Sequence, residues 1–327
     1  MTVARQTFYQ QIAQNKRRSW LLMVVLGALL ALLGALIGYA ITGSVTGAAA
    51  AVVAAIILSA VLSAGAWFGG DGLILSASQA REVRPEDAPR LMNVVQELSI
   101  AAGVPMPRVY LIDDSAPNAF ATGRDPAHAS VAVTTGLLDK LDREELQGVL
   151  GHELSHVRNY DIRFALLVGV LVGSIALLAD MFLRFTMFGG ARRSRSRDSG
   201  GNGAQAVIMV VALILAVLAP FFARMVQMAV SRQREFLADA SSVELTRNPY
   251  GLERALATIS ADTEVLEVAN RATQHLYVVN PIKKLEARSS GLFSTHPPIV
   301  ERIDRLRALT GQPALDAVAE QSLSGLD

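Results

Sequence analysis

The stretch of the chain with the clearest chemical signature is a His-Glu-x-x-His pattern formed by His152, Glu153 and His156. Residues four apart in an α-helix leave the same face, so both imidazoles can bind one metal ion. Glu153 lies about 100° further round the helix, where its carboxylate can reach a water held by that ion. Zinc lowers the pKa of such a water to about 7, and Glu153 can then take the proton as the oxygen attacks a carbonyl carbon. The pattern therefore indicates metal-dependent hydrolysis.

Two histidines on a solvent-exposed helix are the alternative, because a pattern of five residues with two free positions also arises by chance. The neighbouring residues argue against exposure because they make the helix apolar; they are Leu146, Val149, Leu150, Leu154 and Val157. The chain has only five histidines, and two of them lie in this pattern. We therefore predict that His152 and His156 bind one Zn²⁺ per chain.

The composition is typical of membrane helices joined to a soluble domain. Hydrophobic residues make up 51% of the 327 residues and charged residues 18%, whereas soluble domains are about 25% charged. The net charge of +1 creates no field that would attract nucleic acid, so we predict no nucleic-acid partner. The chain has no cysteine, which excludes disulfides, thiol catalysis and thiolate metal ligands. Any zinc must therefore be bound by His, Asp or Glu.

Four apolar stretches are long enough to cross a bilayer, which requires about 20 residues. They are Trp20–Tyr39, Ala48–Phe68, Phe164–Leu183 and Ala204–Ala223. A signal peptide is the alternative for the first stretch, but the stretch is too long for one and a second stretch follows at once. Cationic residues lie before the first stretch and after the second, and the loop between them has none. This distribution predicts a hairpin with both ends in the cytoplasm.

The second pair of apolar stretches does not fit the same rule. If both stretches cross, the arginine-rich loop between them, residues 189–203, lies outside the cell. That location contradicts the preference of cationic loops for the cytoplasm. Either the pair enters the bilayer without crossing it, or its loop is an exception to the rule. The sequence leaves both alternatives open.

The chain divides into five predicted parts. In order they are a basic cytoplasmic leader (1–19), a transmembrane hairpin (20–68), the first half of a hydrolase domain (84–162), a second hydrophobic hairpin with an Arg/Gly-rich loop (163–223) and the second half of that domain (224–327). The predicted fold class is a mainly α membrane protein whose soluble domain contains a small antiparallel β-sheet.

Periodicity and turn residues predict the elements of the soluble domain. Strands are predicted at Arg108–Ile112, Asn118–Thr122 and Ser130–Thr134, with a turn between the last two. Helices are predicted at Ala88–Ala102, Leu252–Ile259 and Pro298–Leu309. Asp142 and Glu145 form a capping box that predicts the start of the helix containing His152.

A third metal ligand is needed because a catalytic zinc ion keeps three protein ligands and one open position. Glu235 is a candidate, and Asp239 follows one helical turn later, so both carboxylates face the same way. One of them could bind the metal while the other accepts a hydrogen bond from a ligand histidine. The alternative is a solvated charge pattern formed with Arg232 and Arg234. Spacing alone does not distinguish the two.

A candidate substrate-binding strand contains Asn118, Ala119 and Phe120. As the edge strand of the small sheet, it could pair with the main chain of an extended polypeptide, a mode of recognition that ignores side-chain identity. An ordinary structural strand is the alternative.

Two further residues each allow more than one interpretation. His296 lies in a Thr-His-Pro-Pro turn and could donate a hydrogen bond to the oxyanion of a tetrahedral intermediate, or it could be a structural histidine. Arg234 could pair with Glu153 or Asp239, or it could be a surface cation.

Taken together, these motifs resemble the HtpX family of membrane zinc endopeptidases, which is related to the CAAX prenyl-protein peptidases. The resemblance covers most of the chain, and it includes the two amino-terminal spans, Pro117–Gly123, the His152–His156 motif, the two hydrophobic segments behind it, Ser231–Asp239 and Thr295–Pro298. It implies a zincin-like metalloprotease domain in which Glu235 is the third zinc ligand, Glu153 the general base and Asp239 a supporting acid. It also favours substrate binding by the candidate strand.

The resemblance implies a multi-pass zinc endopeptidase of the cell membrane whose active site faces the cytoplasm. Its partners would be the lipid bilayer and unfolded polypeptides, since the family implies stress-response quality control of misfolded or damaged membrane proteins. A dedicated processing peptidase for prenylated substrates is an alternative, and so is a non-catalytic scaffold in which zinc only joins helices. Glu153 argues against the scaffold, because a structural site has no use for a base.

Overall fold

The computed structural model describes residues 8–189, 203–262 and 297–315. The chain divides into two compact units. The first, which we call the site unit, comprises residues 1–15, 69–164 and 228–327. The second, which we call the apolar unit, comprises residues 16–68 and 165–227.

Helices dominate the described residues. They are α1 (Phe8–Thr42), α2 (Val45–Ala77), α3 (Pro89–Ala102), α4 (Thr135–Lys140), α5 (Arg143–Arg158), α6 (Asp161–Arg184), α7 (Gly203–Thr246), α8 (Pro249–Ala261) and α9 (Ile299–Thr310). A short π-helical turn, Phe185–Gly189, follows α6. The strands are β1 (Arg81–Glu82), β2 (Arg108–Ile112), β3 (Ala119–Gly123) and β4 (Ala129–Thr134). The predicted class, mainly helical with a small sheet, is confirmed.

All four predicted apolar stretches are helical and long enough to cross a membrane. The membrane-competent stretches are Trp20–Thr42, Val45–Ala77, Asp161–Met187 and Gln205–Thr246. Large apolar side chains on these helices are exposed, for example Trp20 at 65%, Val61 at 63% and Val207 at 63%. Such exposure suits helices that are surrounded by lipid, because lipid tails are as apolar as these side chains.

The four strands form one mixed sheet in the order β1-β2-β4-β3. β3 and β4 form the predicted antiparallel pair, with Ala119 opposite Val133. The sheet is not antiparallel throughout, however, because β4 lies between β2 and β3 and runs parallel to β2. Every residue of β4 is buried, and so is every residue of β3, so burial alone does not predict which of the two strands is central. This order leaves β3 at an edge of the sheet, where it packs against α5.

Helix α5 lies at the centre of the site unit and packs against α3, α8 and β3. It begins with the predicted capping box, in which the Asp142 side chain accepts from the Glu145 backbone and the Glu145 side chain accepts from the Asp142 backbone. The apolar residues that flank the His-Glu-x-x-His pattern are all fully buried; they are Leu146, Val149, Leu150, Leu154 and Val157. The alternative of a solvent-exposed histidine helix is therefore wrong.

A glycine in α5 allows α7 and α8 to approach it closely. A Cβ atom at Gly148 would lie 2.5 Å from the backbone nitrogen of Leu252 in α8, so a larger residue does not fit there. On the α7 side, the Ser242 hydroxyl donates a hydrogen bond of 2.7 Å to the Gly148 carbonyl. These contacts fix the position of α7, and with it the residues that α7 presents to α5.

Candidate metal and catalytic site

Helix α5 presents both histidines of the pattern on one face. The Nε2 atoms of His152 and His156 are 3.2 Å apart, and the two rings are perpendicular with centroids 4.7 Å apart. His152 is 1% exposed and Glu153, the residue between them in the motif, is 2% exposed. The spacing of four residues thus produces the convergence that the sequence predicted.

Helix α7 brings a carboxylate to the same point. Glu235 Oε2 lies 3.5 Å from His152 Nε2, and Glu235 Oε1 lies 3.5 Å from His156 Nε2. Within the described ranges, these three residues form a group whose ligand atoms all lie within 4.8 Å of one another. Two imidazole nitrogens and one carboxylate make up a donor set that catalytic zinc sites use. The residues present therefore fit a metal ion of that kind.

The second ring nitrogen of each histidine faces another carboxylate. His152 Nδ1 lies 2.9 Å from Asp239 Oδ1, and His156 Nδ1 lies 3.2 Å from Asp161 Oδ2. Because an ionised carboxylate only accepts hydrogen bonds, each Nδ1 is the donor, and in the neutral form of each ring Nε2 keeps its lone pair. Both lone pairs then point to the shared position beside Glu235. The sequence predicts Asp239 as such a partner but does not predict Asp161.

Two buried arginines hold these outer carboxylates. Arg302 in α9 is 0% exposed. It donates to both oxygens of Asp239, from Nε at 2.9 Å and from Nη2 at 2.7 Å. Arg302 was not predicted from the sequence, although it follows Ile299 by three residues and precedes Leu306 by four, both of which are buried. The signal that could have identified it is a cation on the apolar face of a helix, because such a cation is buried and needs a partner.

Arg234 is not a surface cation, which was one of its predicted alternatives, and a carboxylate that the sequence did not predict lies beside it. It is 7% exposed, and its Nε lies 3.5 Å from Asp161 Oδ1. The reason is helical geometry: Arg234 precedes Glu235 by one residue, so its side chain leaves α7 about 100° away from the face that carries Glu235 and Asp239.

The charges around the histidines also suit a divalent cation. Among the described residues that surround them, the buried carboxylates are Glu153, Asp161, Glu235 and Asp239, and the buried cations are Arg234 and Arg302. With neutral histidines, this set has a formal charge of −2. Buried charge that lacks compensation is expensive, and one divalent cation would neutralise this set.

Burial and neighbouring charges shift the pKa values of the site residues. Burial raises the pKa of Glu153, while His152, His156 and the Ala121 backbone in β3 oppose that shift. Burial alone would lower the pKa of His156, but hydrogen bonds with Asp161 and Glu235 raise it well above its ordinary value. A metal ion must therefore displace a proton to bind His156.

Of the four remaining predicted site residues, the structure describes Asn118, Ala119 and Phe120. Asn118 is buried, and its side chain accepts a hydrogen bond of 3.0 Å from the Ala119 backbone. Ala119 and Phe120 are buried in β3, at the edge of the sheet. His296 lies outside the described residues.

The chain that contains this site and these membrane-competent helices is similar to known proteins over most of its length. Residues 85–310 match the model of peptidase family M48. The chain belongs to peptidase family M48. Among solved structures, that of Ste24p from S. mikatae aligns with a TM-score of 0.37 and 21% identity, over 66% of this chain and 49% of that chain.

Several relatives named "Protease HtpX homolog" match this peptidase over most of its length. The relative from Dictyoglomus thermophilum is 44% identical over 303 residues, which cover 93% of this chain and 95% of the relative. The relative from Streptococcus gordonii is 45% identical over 301 residues, covering 92% and 99%. The relative from Thermoanaerobacter pseudethanolicus is 48% identical over 240 residues, covering 73% and 78%. The predicted relationship to the HtpX family is confirmed, and the chain is a multi-pass membrane metalloprotease.

Proposed function

We propose that this peptidase is a zinc endopeptidase of the cell membrane that cleaves misfolded or damaged membrane proteins at the cytoplasmic face. The observation that carries the proposal is the convergence of His152, His156 and Glu235, with ligand atoms within 4.8 Å of one another, beside the buried Glu153. The relatives' name supports the protease activity, the resemblance to the HtpX family supports the quality-control role, and the cationic residues that flank the first apolar pair support the orientation.

Zinc is the metal that this donor set favours, with one ion per chain held by His152, His156 and Glu235. When bound, it supplies the Lewis acidity that polarises a scissile carbonyl and acidifies a nearby water. The chain's own part is orientation: Asp239 accepts from His152 Nδ1, so that His152 Nε2 keeps the lone pair.

Glu153 is the proposed general base. It takes the proton from the attacking water and delivers it to the leaving amine. Burial raises its pKa, and a base works best when its pKa lies near the working pH. The Ala121 backbone in β3 opposes that rise. The base and the proposed substrate strand are therefore adjacent.

The edge position of β3 supports main-chain pairing with the substrate. Thr134 donates its backbone N–H to the Asn118 carbonyl, so Asn118 faces β4. In an antiparallel pair the facing residues alternate. Phe120 therefore also faces β4, whereas Ala119 and Ala121 direct their backbone groups away from it. We refine the predicted substrate-binding residues accordingly: the backbone of Ala119 pairs with substrate, and Phe120, which is 0% exposed, supports the strand.

We expect Ala119→Pro to raise KM more than it lowers kcat, because proline is tolerated on an edge strand but removes the outward N–H of Ala119, which donates to the Asn118 side chain in the free protein and would pass to a substrate carbonyl. A single hydrogen bond contributes about 0.5–1.5 kcal/mol, which corresponds to a change in KM of roughly 2–12-fold. The matched control is Glu82→Pro in β1, the opposite edge of the same sheet. Equal KM values for the two variants would contradict substrate pairing at β3.

We also propose a domain arrangement in which the peptidase domain is interrupted by membrane helices. Residues 84–162 and 224–327 would form the peptidase domain, residues 20–68 and 163–223 the membrane hairpins, and residues 1–19 the cytoplasmic leader. The division of the chain into a site unit and an apolar unit with similar boundaries supports this arrangement.

Metal removal and replacement test the proposed function. The full-length protein in detergent is stripped with a chelator, refilled with Zn²⁺, and incubated with an unfolded membrane protein and with its folded form. We expect cleavage to stop on stripping, to return with one Zn²⁺ per chain, and to occur at scattered sites in the unfolded form only. Cleavage that survives complete metal removal would exclude the mechanism. A single cut in a prenylated peptide, with the unfolded protein intact, would favour the processing peptidase.

A further inference from the structure

The corner between α5 and α6 brings an acidic residue back towards the site. Asn159 ends α5, Tyr160 adopts a left-handed backbone with φ of 62°, and Asp161 begins α6. Residues with a side chain rarely adopt this conformation, and it costs conformational energy. The turn places the Asp161 carboxylate 3.2 Å from Nδ1 of His156, five residues earlier in the chain.

Arg234 holds the other side of the same carboxylate. Its Nε lies 3.5 Å from Asp161 Oδ1, and its Nη1 donates to the Asp161 carbonyl at 3.4 Å. The guanidinium also lies 4.0 Å from the centroid of the Phe164 ring, a cation–π arrangement that favours a fixed position. The carboxylate thus faces His156 with one oxygen and Arg234 with the other.

The second histidine of the site has the same arrangement, built from different elements. His152 Nδ1 faces Asp239, and Asp239 is held by Arg302. An imidazole backed by a carboxylate that is itself backed by a buried guanidinium therefore occurs twice. A single acid at a helix start could be fortuitous, but the recurrence on both candidate ligands indicates a common purpose.

We propose that Asp161, held by Arg234, is a positioning residue that orients His156 for the metal. By accepting from Nδ1 it fixes the tautomer of the ring, so that Nε2 presents its lone pair beside His152 Nε2 and Glu235. The inference rests on the proposed metal site. Arg234 and Glu235 are neighbours in α7, so one turn of helix supplies both the third ligand and the cation that holds Asp161.

The competing explanation is that Asp161 only stabilises the start of α6. An acidic residue in the first turn of a helix interacts favourably with the helix dipole. That role would affect the stability of the protein in the same way with or without metal. The positioning role affects the affinity for the metal itself, so the two explanations separate when metal affinity and apoprotein stability are both measured.

The test uses the full-length protein in detergent, stripped of metal and titrated with Zn²⁺ against a chromophoric chelator. We expect Asp161→Ala to weaken zinc binding by about 10–100-fold, the usual effect of removing a partner of a ligand histidine. Asp161→Asn keeps an acceptor oxygen of the same size, so we expect its loss of affinity to be smaller. The matched control is Asp180→Ala, which breaks an exposed ion pair with Arg184 on the same helix and should bind zinc like the wild type.

A second readout reports geometry rather than affinity. The visible absorption of the Co²⁺-loaded protein should change in Asp161→Ala and stay unchanged in Asp180→Ala, because it depends on the orientation of the ligands. Thermal unfolding of the stripped variants checks folding, and Asp161→Asn provides the test if Asp161→Ala does not fold. Wild-type zinc affinity and Co²⁺ spectrum in Asp161→Asn and Asp161→Ala, with a lowered unfolding temperature, would overturn the inference and leave only the helix-start role. Zinc binding by the wild type that does not depend on His152 would instead overturn the proposed function.

Discussion

Replacing Glu153 by glutamine should lower kcat by about 10²–10⁴-fold, the usual contribution of a general base. Glutamine has nearly the same size and shape, so it fits the position that Glu153 occupies at 2% exposure between the two histidines. It cannot take a proton, however. The three side chains whose ligand atoms converge are untouched, so one Zn²⁺ per chain should remain. The measurement is single-turnover cleavage of an unfolded membrane protein, together with metal analysis of the same sample.

The control for this variant is a second Glu→Gln substitution in α5. Glu144 lies in the first turn of that helix and pairs with Arg254 at the surface, so Glu144→Gln should retain wild-type kcat. Activity of Glu153→Gln close to that of the control, with full zinc content, would rule out Glu153 as the base. Loss of zinc from Glu153→Gln would mean that Glu153 acts on the metal rather than on the proton.

The parts of this site that could be predicted from the sequence are those that depend on a single helix. His152 and His156 converge because both lie in α5, four residues apart. Glu235 and Asp239 face the same way in α7 for the same reason. Residues four apart in a helix share a face whatever the rest of the fold is, so their spacing was enough to predict that the members of each pair face the same way. That α7 would meet α5 came from a family resemblance, because spacing alone left Glu235 undecided.

The missed residues depend on contacts between distant parts of the chain. Arg302 and Asp239 are 63 residues apart, and most of the segment between them lies outside the described residues. Asp161 is close to His156 in sequence, but only the left-handed turn at Tyr160 brings it to the ring. The parallel pairing of β2 with β4 was missed for a similar reason: the sequence predicts strands, but not which strand enters between the other two.

Arg302 provides the strongest test of how the site is held together. Burial alone would lower the pKa of Arg302, but the charges of Asp239 and Glu235 raise it above its ordinary value, so the guanidinium stays charged. Its two hydrogen bonds to Asp239 leave that carboxylate fixed beside His152. Removing one partner of a buried ion pair leaves the other charge without compensation, which costs about 3–5 kcal/mol. Replacing both partners by apolar residues of similar volume is often nearly neutral.

These costs predict different results for a single and a double variant. We expect Arg302→Met to lower the free energy of unfolding of the zinc-stripped protein by about 3–5 kcal/mol, as measured by denaturant titration in detergent. Adding Asp239→Leu should restore most of that stability, because neither member of the pair is then left as an uncompensated charge, but it should not restore zinc affinity, because His152 Nδ1 has lost its acceptor. Arg305→Met is the matched control on the same helix; its partner Glu301 is exposed and its guanidinium lies over the Phe236 ring, so the effect should stay below about 2 kcal/mol. If Arg302→Met and Arg305→Met were equally stable, the buried pair would contribute nothing to the fold. If the double variant recovered zinc affinity together with stability, Asp239 would not orient His152, and the paired Asp–Arg arrangement behind the histidines would have a structural role only.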